Sequence, residues 1–102
     1  MSPTYLVSMS QLESAKLRDW DLWANLHSQR IAFRKALAIL NFRLMYEPME
    51  IWSEPYQDLE ILGLQLRFGS ENMLGVGYGV HAASRQIFVK RFQWLGSLKP
   101  PG

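Results

Sequence analysis

In this chain of 102 residues, one group has the residue types that phosphate chemistry needs: Arg67, Tyr78, His81, Arg85, Lys90 and Arg91. Guanidinium and ammonium groups hold phosphates, and aromatic rings stack on bases. A histidine or a phenol beside a scissile bond can move a proton. The combination suits RNA. A solvated sheet face with ordinary surface charges is the plainer reading of the same residues.

Other chemistries are excluded more directly. His27 and His81 stand far apart, and neither has a metal-ligand partner at short spacing, so no zinc site is expected. The pattern calls for no metal and no cofactor. There is no cysteine, which removes thiol catalysis, thiolate metal sites and disulfides. No Gly-x-Ser-x-Gly turn is present. Gly75-Val-Gly-Tyr-Gly79 is as glycine-rich as a phosphate loop but lacks the lysine and helix start that such a loop requires. Its glycines fall at every second position, which is one face of a strand. Such a face admits a close partner or lies beneath large neighbouring side chains. The second reading is favoured, with Trp94 or Trp52 as cover.

These residues sit on three runs with the two-residue alternation of strands, near 62–68, 73–80 and 86–95. Leu62, Leu64, Leu66 and Phe68 share one side of the first run, with Arg67 on the other. Leu74, Val76, Tyr78 and Val80 share one side of the second. Phe88, Lys90, Phe92 and Trp94 share one side of the third. Gly69–Asn72 and Ala82–Ser84 are short enough to close antiparallel hairpins.

Upstream the period changes to that of helices. Ser10-Gln-Leu-Glu13 has capping-box spacing and predicts a helix from Ser10 to about Leu26, with Leu12, Ala15, Leu22 and Leu26 as its apolar stripe and Trp20 and Trp23 beside it. Phe33, Ala36, Leu37, Leu40 and Leu44 predict a second helical stretch, from Ser28 to about Tyr46, ended by Pro48. One bent helix and two helices both fit. Tyr5–Met9 reads as an edge strand, 49–60 as a connector, and the tail from Gly96 as irregular and mobile. The expected fold is α+β in a single domain: a helical hairpin or long bent helix on an antiparallel sheet of three to four strands. The expected core is Phe33, Leu37, Leu40, Leu44, Leu64, Leu66, Val76 and Tyr78 in mutual contact.

Charge is segregated. Residues 27–46 carry Arg30, Arg34, Lys35 and Arg43 and no acid, whereas 47–60 carry five acids and no base. Basic blocks on either side of an acidic one allow a nucleic-acid surface or internal pairing. Four tryptophans exceed what a small core needs, so Trp20, Trp23, Trp52 and Trp94 are candidates for a partner surface, in a homodimer or hetero-oligomer. No apolar run approaches the ~20 residues that span a bilayer. The N-terminus lacks the pattern of a signal peptide. A cytoplasmic location fits.

The segment from Leu59 to Pro100 resembles the sheet of the RelE/ParE superfamily of toxin–antitoxin toxins, particularly its HigB-like branch. The resemblance rests on Gly63-Leu-Gln-Leu-Arg67-Phe, a strand containing Tyr78, an apolar strand ending in Phe92, a proline-containing tail and a preceding helical hairpin. It implies mRNA binding or cleavage on the ribosome by basic and aromatic residues of the sheet, here Arg67, Tyr78, His81, Lys90 and Arg91, with an antitoxin covering them. Two positions depart from the family pattern. Gly75 stands where an arginine is frequent, and Gln93-Trp94 follow Phe92 where a basic pair is frequent. The competing class is a non-catalytic inhibitor or anti-activator that masks a partner protein.

Overall fold

The computed structural model describes residues 4–101. The chain runs β1 (Leu6–Ser8), α1 (Gln11–Leu26), α2 (Arg30–Tyr46), β2 (Ser53–Leu59), β3 (Leu64–Glu71), β4 (Leu74–His81) and β5 (Gln86–Trp94). The strands form one sheet in the order β1-β5-β4-β3-β2. All neighbours are antiparallel except β1, which lies parallel to β5. The fold is α+β with a helical hairpin. The sheet, however, has five strands and mixed direction, not three or four antiparallel ones. The added strand is β2, placed by sequence in a connector. Its Ser-Glu-Pro-Tyr-Gln-Asp-Leu lies on an exposed edge and carries no apolar alternation to mark it.

Ser28 adopts a left-handed backbone (φ 58°), which ends α1 and resolves the helical stretch into two helices. Across the junction Asp21 is gripped by two arginines. Arg30 Nη2 donates to Oδ2 at 3.0 Å, and Arg34 donates through Nε to Oδ1 at 2.9 Å and through Nη2 to Oδ2 at 3.0 Å. Hydrogen bonds from Arg34 and then Arg30 lower the Asp21 carboxyl to about 2.

Half of the expected capping box forms. Ser10 Oγ accepts from the Glu13 N–H at 3.2 Å, but the Glu13 carboxylate does not reach back. It accepts instead from the Phe92 N–H at 2.6 Å, and Lys16 Nζ donates to the Phe92 carbonyl at 2.8 Å. The reason lies in β1, whose last partner is Phe88. Beyond it the edge of β5 has no strand to pair with among the described residues, and side chains of the first turn of α1 meet its backbone groups.

The buried face of α1 also differs from expectation. Glu13, Trp20 and Ala24 are buried and Leu17 is partly so, whereas Leu12, Leu22 and Leu26 are exposed. Positions 13, 17, 20 and 24 make a helical stripe of their own, and the tryptophan brings more area to it than a leucine would. α2 buries Phe33, Ala36, Leu40 and Leu44 as its period predicts. These meet Leu74, Val76, Tyr78, Val80, Ile87, Val89, Phe92 and Trp94 in one core.

Two outcomes follow from this packing. Leu40 is fully buried, so Leu40→Ala lowers unfolding free energy by about 2–5 kcal/mol, read from urea denaturation. Because the folded Asp21 pKa lies below its unfolded value near 3.9, its contribution is complete above that pH and is lost as pH falls towards about 2. Acid titration followed by circular dichroism shows a smaller stability loss between about pH 4 and 2 in Asp21→Asn than in the parent chain.

Candidate functional site

Strand register decides which side chains share a face. In the β3–β4 pair Leu66 lies opposite Gly79, Arg67 opposite Tyr78 and Phe68 opposite Gly77. Tyr78 faces the helices, and so does Arg67, while Leu64, Leu66 and Phe68 lie on the other side with the glycines. The expected contact of Leu64 and Leu66 with Val76 and Tyr78 is therefore corrected. Alternation within each strand is right, but the hairpin pairs it in the opposite phase. β3 continues through Glu71 and turns on Asn72 and Met73, with Asn72 at φ 51°. The assumed break at Gly69 is strand.

Large neighbours do cover two of the three glycines, but the tryptophans are not the cover. A Cβ on Gly75 would meet Phe68 Cζ at 2.6 Å and Leu95 Cδ1 at 3.1 Å, and one on Gly79 would touch Leu66 and Leu64. Gly77 differs, since a Cβ there would meet only Phe68 Cδ2, at 3.8 Å. It floors a groove of about 440 Å³ on the face that the helices leave open, lined by Tyr56, Phe68, Gly77, Lys90, Arg91 and Gln93.

Two bulges in different strands build this groove. In β5 Gly77 pairs with Arg91 and Tyr78 with Val89, so Lys90 is the extra residue. The bulge changes the phase of the strand: Ile87 and Val89 point inward before it, Phe92 and Trp94 after it. Lys90 and Arg91 are thereby both exposed on the open face, although simple alternation would separate them. In β2 the register shifts between Pro55 and Gln57, and Tyr56 is the extra residue. It is 54% exposed at the opposite wall. Bulges that re-aim side chains gather at functional sites. Among the described residues neither Lys90 nor Arg91 has an ion-pair partner.

Arg67 and Tyr78, the other two cation and phenol candidates, are interior groups. Arg67 is 6% exposed and Tyr78 fully buried. Arg67 Nε donates to Ser53 Oγ at 2.9 Å, Nη2 to the Ser53 carbonyl at 2.8 Å, and Nη1 to Gln65 Oε1 at 2.8 Å. Ser53 Oγ and Tyr78 Oη are 2.7 Å apart, and Tyr78 Oη donates to the Pro48 carbonyl. Proton directions are consistent along this chain: guanidinium to serine, serine to phenol, phenol to carbonyl. Burial pushes the Tyr78 phenol up, against the opposing pull of Ser53 and Arg67. No carboxylate pairs with Arg67 among the described residues; neutral oxygens alone solvate it. The network fastens the loop before β2 to the sheet and presents nothing to a substrate.

His81 stands on the open face, four residues along β4 from Gly77 and so about 13 Å away. Its Nδ1 lies 2.5 Å from Ser84 Oγ, capping the turn at residues 82–84. Arg85 closes that turn at φ 55°, and its carbonyl accepts from the Leu6 N–H. Neither joins the groove. Among the described residues no cluster of His, Asp and Glu is arranged to hold a metal.

Two tryptophans are buried and two, Trp23 and Trp52, are partly buried. Trp20 and Trp94 are buried, and Trp94 packs edge-on against Trp20 and Trp23 and stacks with Phe33. Trp52 stacks on Tyr78, and its Nε1 donates to the Glu47 carbonyl at 2.6 Å. Of the four candidates for a partner surface, Trp20 and Trp94 belong to the core of their own chain, and Trp23 and Trp52 pack against that core while keeping part of their area at the surface.

Sequence reasoning passed over Tyr56, Phe68, Gly77 and Gln93. Phe68 and Gly77 were legible as alternating strand residues. Nothing in the sequence places Tyr56 opposite Arg91, because that needs the bulge in β2. No family model, no curated protein and no solved structure matches the chain.

Removing Arg67 strips donors from buried oxygens. Arg67→Ala is expected to cost about 2–4 kcal/mol in urea denaturation; an unchanged midpoint would show that the guanidinium is not a structural tie.

Proposed function

We propose that this protein binds single-stranded RNA on the open face of its sheet, as a toxin-like small protein of the RelE/ParE kind, and holds the strand without cutting it. The observation that carries this reading is the convergence of two bulges on one groove. A base lies flat on the backbone at Gly77, against Phe68 and Tyr56, and its phosphate meets Lys90 and Arg91. The Gln93 amide lies within the same groove to read a base edge.

Binding is favoured over cleavage because Arg67, Tyr78 and His81, three of the residues that the toxin resemblance makes catalytic, stand outside the groove, whose phenol is that of Tyr56. General acid–base catalysis needs a group within hydrogen-bond reach of the reacting atoms. Arg67 and Tyr78 are turned inward and His81 stands about 13 Å away. The departures at Gly75 and Gln93 from the toxin pattern point the same way.

A second reading, that the protein masks a partner protein, is favoured by one feature. An apolar groove of about 460 Å³ runs between the helices, with Leu17, Leu22, Phe33 and Leu37 in its walls. On that reading Leu22→Glu abolishes partner capture and Arg91→Gln leaves it intact.

The test is fluorescence anisotropy with a labelled oligoribonucleotide over a range of salt. Lys90→Gln with Arg91→Gln lowers the log–log salt slope by about 1.4, roughly 0.7 for each phosphate no longer neutralised. Gly77→Val fills the floor and weakens binding by about 1–3 kcal/mol with the slope unchanged. The RNA is recovered uncut. Absence of binding at low salt overturns the reading, and cleaved RNA overturns its non-catalytic part.

A further inference from the structure

We propose that the bound strand continues from the groove over the edge of β5 into a second phosphate site formed by Lys16, Arg91 and Lys99. This rests on the RNA-binding reading and adds the path of the backbone. A separate pocket of about 260 Å³ lies on the other side of Arg91, with Lys16, Trp20, Trp94 and Lys99 among its walls. Arg91, like Gln93, lines both cavities. The five donors of the Arg91 guanidinium, in a planar fork, suit two successive phosphates.

The pocket is open because β1 is short. Its pairing to β5 ends at Phe88, and among the described residues no strand covers the edge beyond. Lys16 is held in place there: its ammonium lies 2.8 Å from Glu13 Oε1 and 2.8 Å from the Phe92 carbonyl, 5.3 Å from the centre of the Trp20 ring. An ammonium has three donors. Two are engaged, and the third is free for a ligand. Lys99 is brought to the same place by the tail, which is irregular as expected but tethered, since Trp94 Nε1 donates to the Leu98 carbonyl at 2.8 Å.

Charge completes the case. Glu13 is the carboxylate at this edge, and it is already engaged by Lys16 and the Phe92 N–H. Arg91 and Lys99 have no ion-pair partner among the described residues. With Lys16 balanced by Glu13, Arg91 and Lys99 leave two uncompensated cations at one opening, and a phosphodiester supplies a negative charge without the bulk of a folded partner.

The experiment compares Lys99→Gln with the parent chain in the anisotropy assay, using oligoribonucleotides of increasing length. Lys35→Gln, on an exposed face of α2, controls for the loss of one positive charge. With a long oligonucleotide Lys99→Gln is expected to lower the salt slope by about 0.7, and Lys35→Gln to leave it unchanged. With a dinucleotide, which fills the groove alone, Lys99→Gln and the parent chain coincide. An equal slope for Lys99→Gln and the parent chain on long RNA, while the Lys90/Arg91 variant still loses slope, overturns the continued path and leaves the groove in place. Failure of the parent chain to bind RNA overturns both.

Discussion

The central strand β4 constrains everything around it. From Leu74 to Val80 every residue is buried, though it has side chains of substance on one side only. Leu74, Val76, Tyr78 and Val80 face the helices, and Gly75, Gly77 and Gly79 face away. A strand with no side chains on one face contributes no apolar bulk there. Its outer surface is therefore supplied from the flanks, by Leu64, Leu66 and Phe68 of β3 and by Leu95. These reach over Gly75 and Gly79 more closely than over Gly77, which is buried like its neighbours but lines the groove with room for a side chain. The open groove is what remains when long side chains lean over the two ends of a row of three glycines.

The helices cover one face, and the means by which they do so explain where charge is tolerated. Glu13 and Lys16 act as side-chain substitutes for a strand along β5. Arg67 serves as an internal donor hub for the loop leading to β2. Each is a polar group placed where backbone hydrogen-bonding capacity would otherwise be buried without a partner, which costs more than an ordinary hydrogen bond returns. Among the described cations without such a task are Lys90, Arg91 and Lys99 on β5 and the tail, alongside Arg18, Lys35 and Arg85 elsewhere. The first three line the two cavities beside β5, whereas Arg30 and Arg34 of the hairpin are occupied by Asp21.

The two bulges give the groove its character. A regular β5 would place Lys90 and Arg91 on opposite faces, one of them against the core, where an unpaired charge is costly. The extra residue resolves that conflict and also keeps Ile87, Val89, Phe92 and Trp94 all inward. A requirement of the core thus produces a pair of adjacent cations on the surface. The bulge in β2 does the same for Tyr56, freeing a ring at an edge whose proline already discourages pairing with another chain.

The sequence by itself determined the class of fold, the two helical stretches, the three successive strands near 62–95 and the inward set of α2. These are local facts, carried by periodicity, by Pro48 and by the turn residues. It also carried the charge segregation and the absence of thiol chemistry. The tertiary structure decided the rest. Register put Arg67 and Tyr78 together inside and Leu64 and Leu66 outside, because period-two alternation is indifferent to which of two faces a partner strand presents. Competition for burial gave α1 to Trp20 and Ala24 over Leu12, Leu22 and Leu26. Two of the tryptophans that looked like surplus, Trp20 and Trp94, became core, and Trp23 and Trp52 pack against it. The groove itself depends on one-residue insertions in two strands far apart in sequence. A bulge is defined by the strand it pairs against, so its place is fixed only when the partner's register is.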